Sequence, residues 1–161
     1  MPVIQHQPLR KLAFEVFRAA GLSGEDAGIV SEHLVDSNLA GHDSHGVWCL
    51  PRYVPGMREN YVTWEEREIL RETPCLAVID CKGGNGIVAT TRALDIAVEK
   101  ARRTTFGFVG LRNTTHIGRL GDYTPRIAGQ GMFGLVWLNG GGLFMTPVSY
   151  THLTLPTKRI V

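Results

Sequence analysis

Long apolar runs are missing from this sequence: none approaches the roughly 18 residues that a bilayer-spanning helix requires, and the N-terminus carries no apolar signal core. No membrane partner is therefore expected. Charge of one sign is missing as well. Seventeen lysines and arginines stand against 15 aspartates and glutamates, with no clustered basic face of the kind that grips nucleic acid. Cysteine is sparse and odd in number. Cys49, Cys75 and Cys81 have neither the even count of a disulfide framework nor the paired spacing of a zinc site. They read as reduced thiols, which makes the cytoplasm the expected compartment. Internal repeats and low-complexity tracts are absent too. What is present is ordinary globular material, 43% hydrophobic, of a length suited to one domain or to a small domain plus part of another.

The first third reads as helical. Leu9, Leu12, Ala13, Val16 and Phe17 recur at helical spacing, predicting a helix over Pro8 to Ala20 that stops at Gly21. Ser23 and Asp26 resemble a capping box ahead of a second helix, striped by Ala27, Val30, Leu34, Val35 and Leu39 and ending near Gly41. Ser44 is placed to cap a third helix with Val47, Leu50 and Val54, kinked or shortened by Pro51. The pattern then changes. Glu68 to Glu72 and Leu76 to Cys81 read as strands around a Thr73-Pro74 turn, and Ile87 to Arg103 as a strong helix. Phe106 to Leu111 and Met132 to Leu138 read as buried strands flanking a short helix around Asp122 to Gly129. The order β, β, α, β, α, β behind a helical segment predicts a mixed α/β fold. The expected division is 1–62 helical, 63–147 part of an α/β domain, and 148–161 a tail.

Two stretches carry chemistry. NLAGHDSHG, Asn38 to Gly46, sets His42, Asp43 and His45 at the mouth of a helix, and RNTTHIG, Arg112 to Gly118, adds His116. An imidazole titrates near neutrality and can exchange a proton with a reacting oxygen without a large pKa shift. An enzyme is the leading expectation. The same residues could be read as metal ligands, but no cysteine or second carboxylate has ligand spacing, and no metal is expected. Asp43 or Ser44 has the alternative of capping a helix. His6 and His33 are expected on solvated helical faces. GNGIVA, Gly84 to Ala89, matches a dinucleotide fingerprint in outline, yet Arg112 and Asn113 stand where an acidic ribose ligand should follow. A plain strand-to-helix turn is favoured. Gly118, Gly121 and Gly140 to Gly142 surround the second histidine stretch. By the rule that ligands sit at the carboxyl ends of strands, Asn113 to Leu120 and Asn139 to Gly142 would line one cleft.

The segment from Val148 to Thr157, VSYTHLTLPT, resembles the translation of a transposon-derived sequencing adapter, with Lys158 to Ile160 in the adapter's variable index and Val161 in its fixed sequence. Residues 148–161 are accordingly expected to be non-native, and without Lys158 and Arg159 the charges balance.

Over Met1 to Thr146 the chain resembles the malate/L-lactate dehydrogenase type 2 family, through LAGHDSHG at Leu39 to Gly46 and HIGRLG at His116 to Gly121. The resemblance implies a family-specific fold that is not the Rossmann fold. It also implies hydride transfer between NAD or NADP and a small 2-oxo or 2-hydroxy acid, with a histidine handling the proton. His45 matches a family histidine described as proton donor or cofactor neighbour, and His116 one assigned to catalysis; either could be the donor. Gly118, Arg119, Leu120, Asn139 and Gly140 match cofactor-contacting positions. Many relatives read SHGxxRxPR. Here Cys49 replaces that arginine, leaving Arg52 to grip a substrate carboxylate. The resemblance further implies a homodimer at full length, and a chain that is inactive alone because most of the sheet and dinucleotide contacts would lie beyond it. The rival reading is a non-catalytic helical dimerisation module.

Overall fold

The computed structural model describes residues 4–139. It opens with two helices, α1 (His6–Ala19) and α2 (Gly24–Leu39). The Ser23 hydroxyl accepts the Asp26 amide at 3.0 Å and starts α2. The second half of a capping box is not made, because the Asp26 carboxylate instead accepts the Tyr61 hydroxyl. Two single-turn 3-10 helices, Asp43–His45 and Val47–Cys49, lead into α3 (Leu50–Asn60). Pro51 lies in the first turn of α3, where its missing N–H costs nothing. The helical layer buries Phe17, Leu22, Val30 and Leu34 completely, and Ile87 and Val88 from the following helix complete the same core.

β1 (Glu68–Glu72) and β2 (Leu76–Asp80) form an antiparallel hairpin with a bulge between Ile69 and Arg71. The chain then crosses through α4 (Gly86–Thr104) to β3 (Phe108–Arg112), which pairs parallel to β2 from Leu76↔Phe108 to Asp80↔Arg112. The sheet order is β1-β2-β3. Ala77 and Ile79 point into a second core with Ala89 of α4, and Trp64 packs against both cores. A 3-10 turn at Leu120–Asp122 leads into α5 (Tyr123–Ala128). Mixed α/β architecture behind a helical segment is thus observed.

Two expectations are corrected. Met132 to Leu138 is not a strand: the run alternates as a strand would, but makes no ladder hydrogen bonds among the described residues. Phe133, Leu135 and Trp137 face solvent, at 88%, 67% and 66% exposure. Hydrophobicity supplies a face, whereas a strand also needs a neighbour's backbone. The second correction is His33, which is fully buried in α2 rather than solvated.

Candidate active site

The first histidine stretch is shaped by Asn38, near the end of α2. Its Nδ2 donates to Asp43 Oδ1 at 2.6 Å and its Oδ1 accepts the Val47 amide at 2.9 Å. A Cβ on Gly46 would lie 2.2 Å from that same Oδ1, so the glycine of SHG exists to let the clamp close. Neither Asp43 nor Ser44 caps a helix. Asp43 is bound by Asn38, and Ser44 Oγ lies 3.0 Å from His45 Nδ1. Cys49 is buried and donates through Sγ to the Ser44 carbonyl.

The second stretch leaves β3 through Asn113, at φ +53°, whose side chain donates to Asp80 at 2.9 Å. The Thr115 amide donates to the Gly84 carbonyl at 3.0 Å, and the Gly86 amide donates to Thr115 Oγ1 at 3.1 Å. Asn85 Oδ1 accepts the Ile87 and Val88 amides at 3.0 and 3.1 Å. The first amides of α4 are therefore taken, and a Cβ on Gly86 would lie 2.3 Å from the Thr115 carbonyl oxygen. This glycine-rich turn holds the stretch leading to His116 instead of cradling a phosphate.

From these two scaffolds His45 and His116 converge, with ring centroids 5.4 Å apart and planes inclined by 33°. Tyr53, on α3, joins them with its hydroxyl 2.5 Å from His116 Nδ1. The Gly118 amide donates to the same Nδ1 at 3.3 Å. Since an amide N–H can only donate, Nδ1 is an acceptor, and the neutral ring carries its proton on Nε2. His116 keeps an edge open to solvent while its Nδ1 side is packed. That partial burial, followed by the charges of Arg52 and His45, brings its pKa down to about 4. Burial first, then neighbouring cations beginning with His42, lowers His45 as well. Burial also raises the Tyr53 phenol, which keeps it a donor. The Arg52 guanidinium lies 5.4 Å from the Tyr53 ring centre.

The structure thus brings together His45, His116 and Arg52 of the predicted site. Gly118 and Arg119 follow in the same loop, and the half-buried Leu120 begins the next turn. The Arg119 guanidinium is turned toward Asp122, 3.4 Å away. Asn139 is exposed at the end of the described chain, and Gly140 to Gly142 and the tail 148–161 lie outside the described residues. Tyr53 was missed by sequence reasoning; its one signal was its place beside Arg52. Among the described residues no three His, Cys, Asp or Glu side chains are grouped to hold a metal ion, and no helix is long and apolar enough to cross a membrane.

A mixed α/β unit in which two imidazoles from separate segments converge on a phenol and an arginine carried by α3 has the donors and acceptors that proton exchange beside a positive charge requires. The sequence model of the malate/L-lactate dehydrogenase family matches residues 4–155, so the chain belongs to that family. The match runs past Val148 into the adapter-like segment. A malate dehydrogenase of Pyrococcus abyssi is 37% identical over 158 residues, covering 98% of this chain and 43% of that protein. Hydroxycarboxylate dehydrogenase B of Escherichia coli O157:H7 is 31% identical over 140 residues, 86% of this chain and 39% of its own length. The solved malate dehydrogenase of Pyrococcus horikoshii superposes with a TM-score of 0.76 at 36% identity, covering 80% of this chain and 37% of that one. The chain therefore spans about two-fifths of the length of these relatives.

Proposed function

We propose that this chain carries the proton-handling half of an NAD- or NADP-dependent dehydrogenase acting on small 2-hydroxy and 2-oxo acids in the cytoplasm. The observation that carries the reading is the convergence of His45 and His116, 71 positions apart in the sequence, with Arg52 beside them. In the reducing direction, a carbonyl oxygen gaining negative charge would take the Nε2 proton of His116 as the Tyr53 hydroxyl passes its own proton to Nδ1, so that the ring stays a neutral imidazole and the phenolate left on Tyr53 regains a proton from water. His45 narrows the space in which the substrate oxygen can sit. Arg52 would bind the substrate carboxylate, with a bidentate grip as the natural geometry.

The donor set fits a nicotinamide and an organic acid: both imidazoles are held toward neutrality, Arg52 supplies positive charge, and no acidic residue is among the shift-causing neighbours of His116. The cofactor, when bound, supplies the hydride. Gly118, Arg119 and Leu120, with Asn139 and Gly140, would contact it. The Gly118 and Arg119 amides are already engaged within the protein, so Leu120 and the following turn offer the free surface. The same reading makes 1–62 a helical segment and 63–147 part of a cofactor and substrate domain. It places the working enzyme in a homodimer of relatives' length, and makes this chain inactive by itself.

The carboxylate half is testable on the chain as it stands. Oxalate should bind, Arg52→Ala should abolish that binding, and bound oxalate should raise the His116 titration midpoint by offsetting the Arg52 charge. Absence of oxalate binding, or binding that survives Arg52→Ala, sinks the assignment. In a protein of relatives' length, His116→Ala should lower kcat by about 10²–10⁴-fold; full turnover would remove His116 from the chemistry.

A further inference from the structure

We propose that His33, far from His116 in sequence, is a positioning residue: a neutral imidazole protonated on Nδ1, which fixes the Gly118-Arg119 backbone and through it the orientation of His116. The inference rests on the preceding reading only for what His116 does once positioned.

His33 is completely buried, and a buried polar ring must find partners. Its Nε2 accepts the Arg119 amide at 2.9 Å. An atom that accepts from an amide N–H carries no proton, which leaves the ring proton on Nδ1. Nδ1 lies 3.2 Å from Asp122 Oδ2, off the line of an ideal hydrogen bond. Burial would raise the Asp122 carboxyl. His33, then Arg126 and Arg119, outweigh that effect and hold it below the ordinary carboxylate range. Arg126 lies 2.7 Å from Oδ2 and Arg119 3.4 Å from Oδ1, so an ionised Asp122 is kept facing the ring.

The coupling to His116 runs through two successive amides. Gly118 N–H donates to His116 Nδ1, and the next N–H, that of Arg119, donates to His33 Nε2. Gly118 sits at φ +72°, and a Cβ there would fall 2.1 Å from His33 Nε2. The loop is thus seated directly on the buried ring. Tyr123 closes the far side: its ring lies 5.4 Å from that of His33, and its hydroxyl donates to the Ile117 carbonyl. An aliphatic residue at position 33 could fill the space but would leave the Arg119 amide unpaired. The other groups facing His116 are Tyr53 and Arg52 of α3 and His45.

The test compares wild type, His33→Gln and His33→Leu in the 161-residue chain by ¹⁵N-detected histidine NMR. Wild-type His33 should show the Nδ1-protonated pattern at neutral pH. Gln can present an oxygen to the Arg119 amide, so His116 should titrate near its wild-type midpoint in His33→Gln. In His33→Leu, where the loop loses its anchor, the midpoint should rise by about one unit. An Nε2-protonated or doubly protonated His33 overturns the proposal. So does an equal rise in both variants, which would mark an effect of charge alone, or no rise in either. If His33→Leu fails to fold, the wild-type tautomer and the His33→Gln titration still decide. None of these readouts needs turnover, so failure of the dehydrogenase reading would leave them standing.

Discussion

At the scale of single residues, two glycines in the site are explained by side chains that press on them. Gly118→Ala would force a Cβ into the His33 ring at positive φ. The left-handed backbone costs about 1–2 kcal/mol and the overpacking about 1–3 kcal/mol more. A loss of roughly 2–5 kcal/mol should appear in urea unfolding, and a change under about 0.5 kcal/mol would show that the loop is not seated on the ring. His45 and His116 were legible in the sequence because imidazole in a glycine-rich loop signals proton chemistry. His33 and Tyr53 were not. His33 is the one histidine of α2, and nothing in its spacing marks it as buried; what buries it is the partner offered by Arg119 and Asp122 from a distant loop. Tyr53 reaches His116 only because α3 turns it toward the loop that follows β3.

At the scale of elements, α4 does more than cross between strands. Its N-terminal turn, closed by Asn85 and Thr115, is the platform that seats the His116 stretch. Asn85→Ala should cost about 1 kcal/mol of stability and broaden the His116 resonances; a stability loss that leaves those resonances unchanged would separate the cap from the site. The helices and the β1-β2 hairpin were legible because their signals are local: apolar spacing, Ser23, the Thr73-Pro74 turn. The 132–138 run was legible as apolar and alternating but not as unpaired, since pairing depends on a neighbouring backbone. Its outward face of Phe133, Leu135 and Trp137 invites self-association. Replacing all three by serine should shift sedimentation profiles toward monomer, and unchanged profiles would show that the face is inert.

For the molecule as a whole, the histidine site makes stability depend on acidity in a window separate from that of the carboxylates. His116 falls from 6.5 unfolded to about 4 folded, and His45 is lowered in the same direction. Between those values the unfolded chain binds protons that the folded chain refuses, so stability rises with pH across the window and declines as pH drops from 6.5 toward 4. Asp122, Glu25 and Glu66 are also lowered, but from ordinary carboxylate values of 3.8 to 4.5. Their stabilisation is complete above those values and lost only as pH falls further. Denaturation midpoints measured from about pH 7 to about pH 3 should therefore decline in two stages. His116→Phe, which keeps a planar ring in the same place, should flatten the upper stage and leave the lower one. Equal upper slopes in wild type and variant would show that the ring is not held neutral by the fold, and with it would go the premise that His116 stands ready with a proton on Nε2.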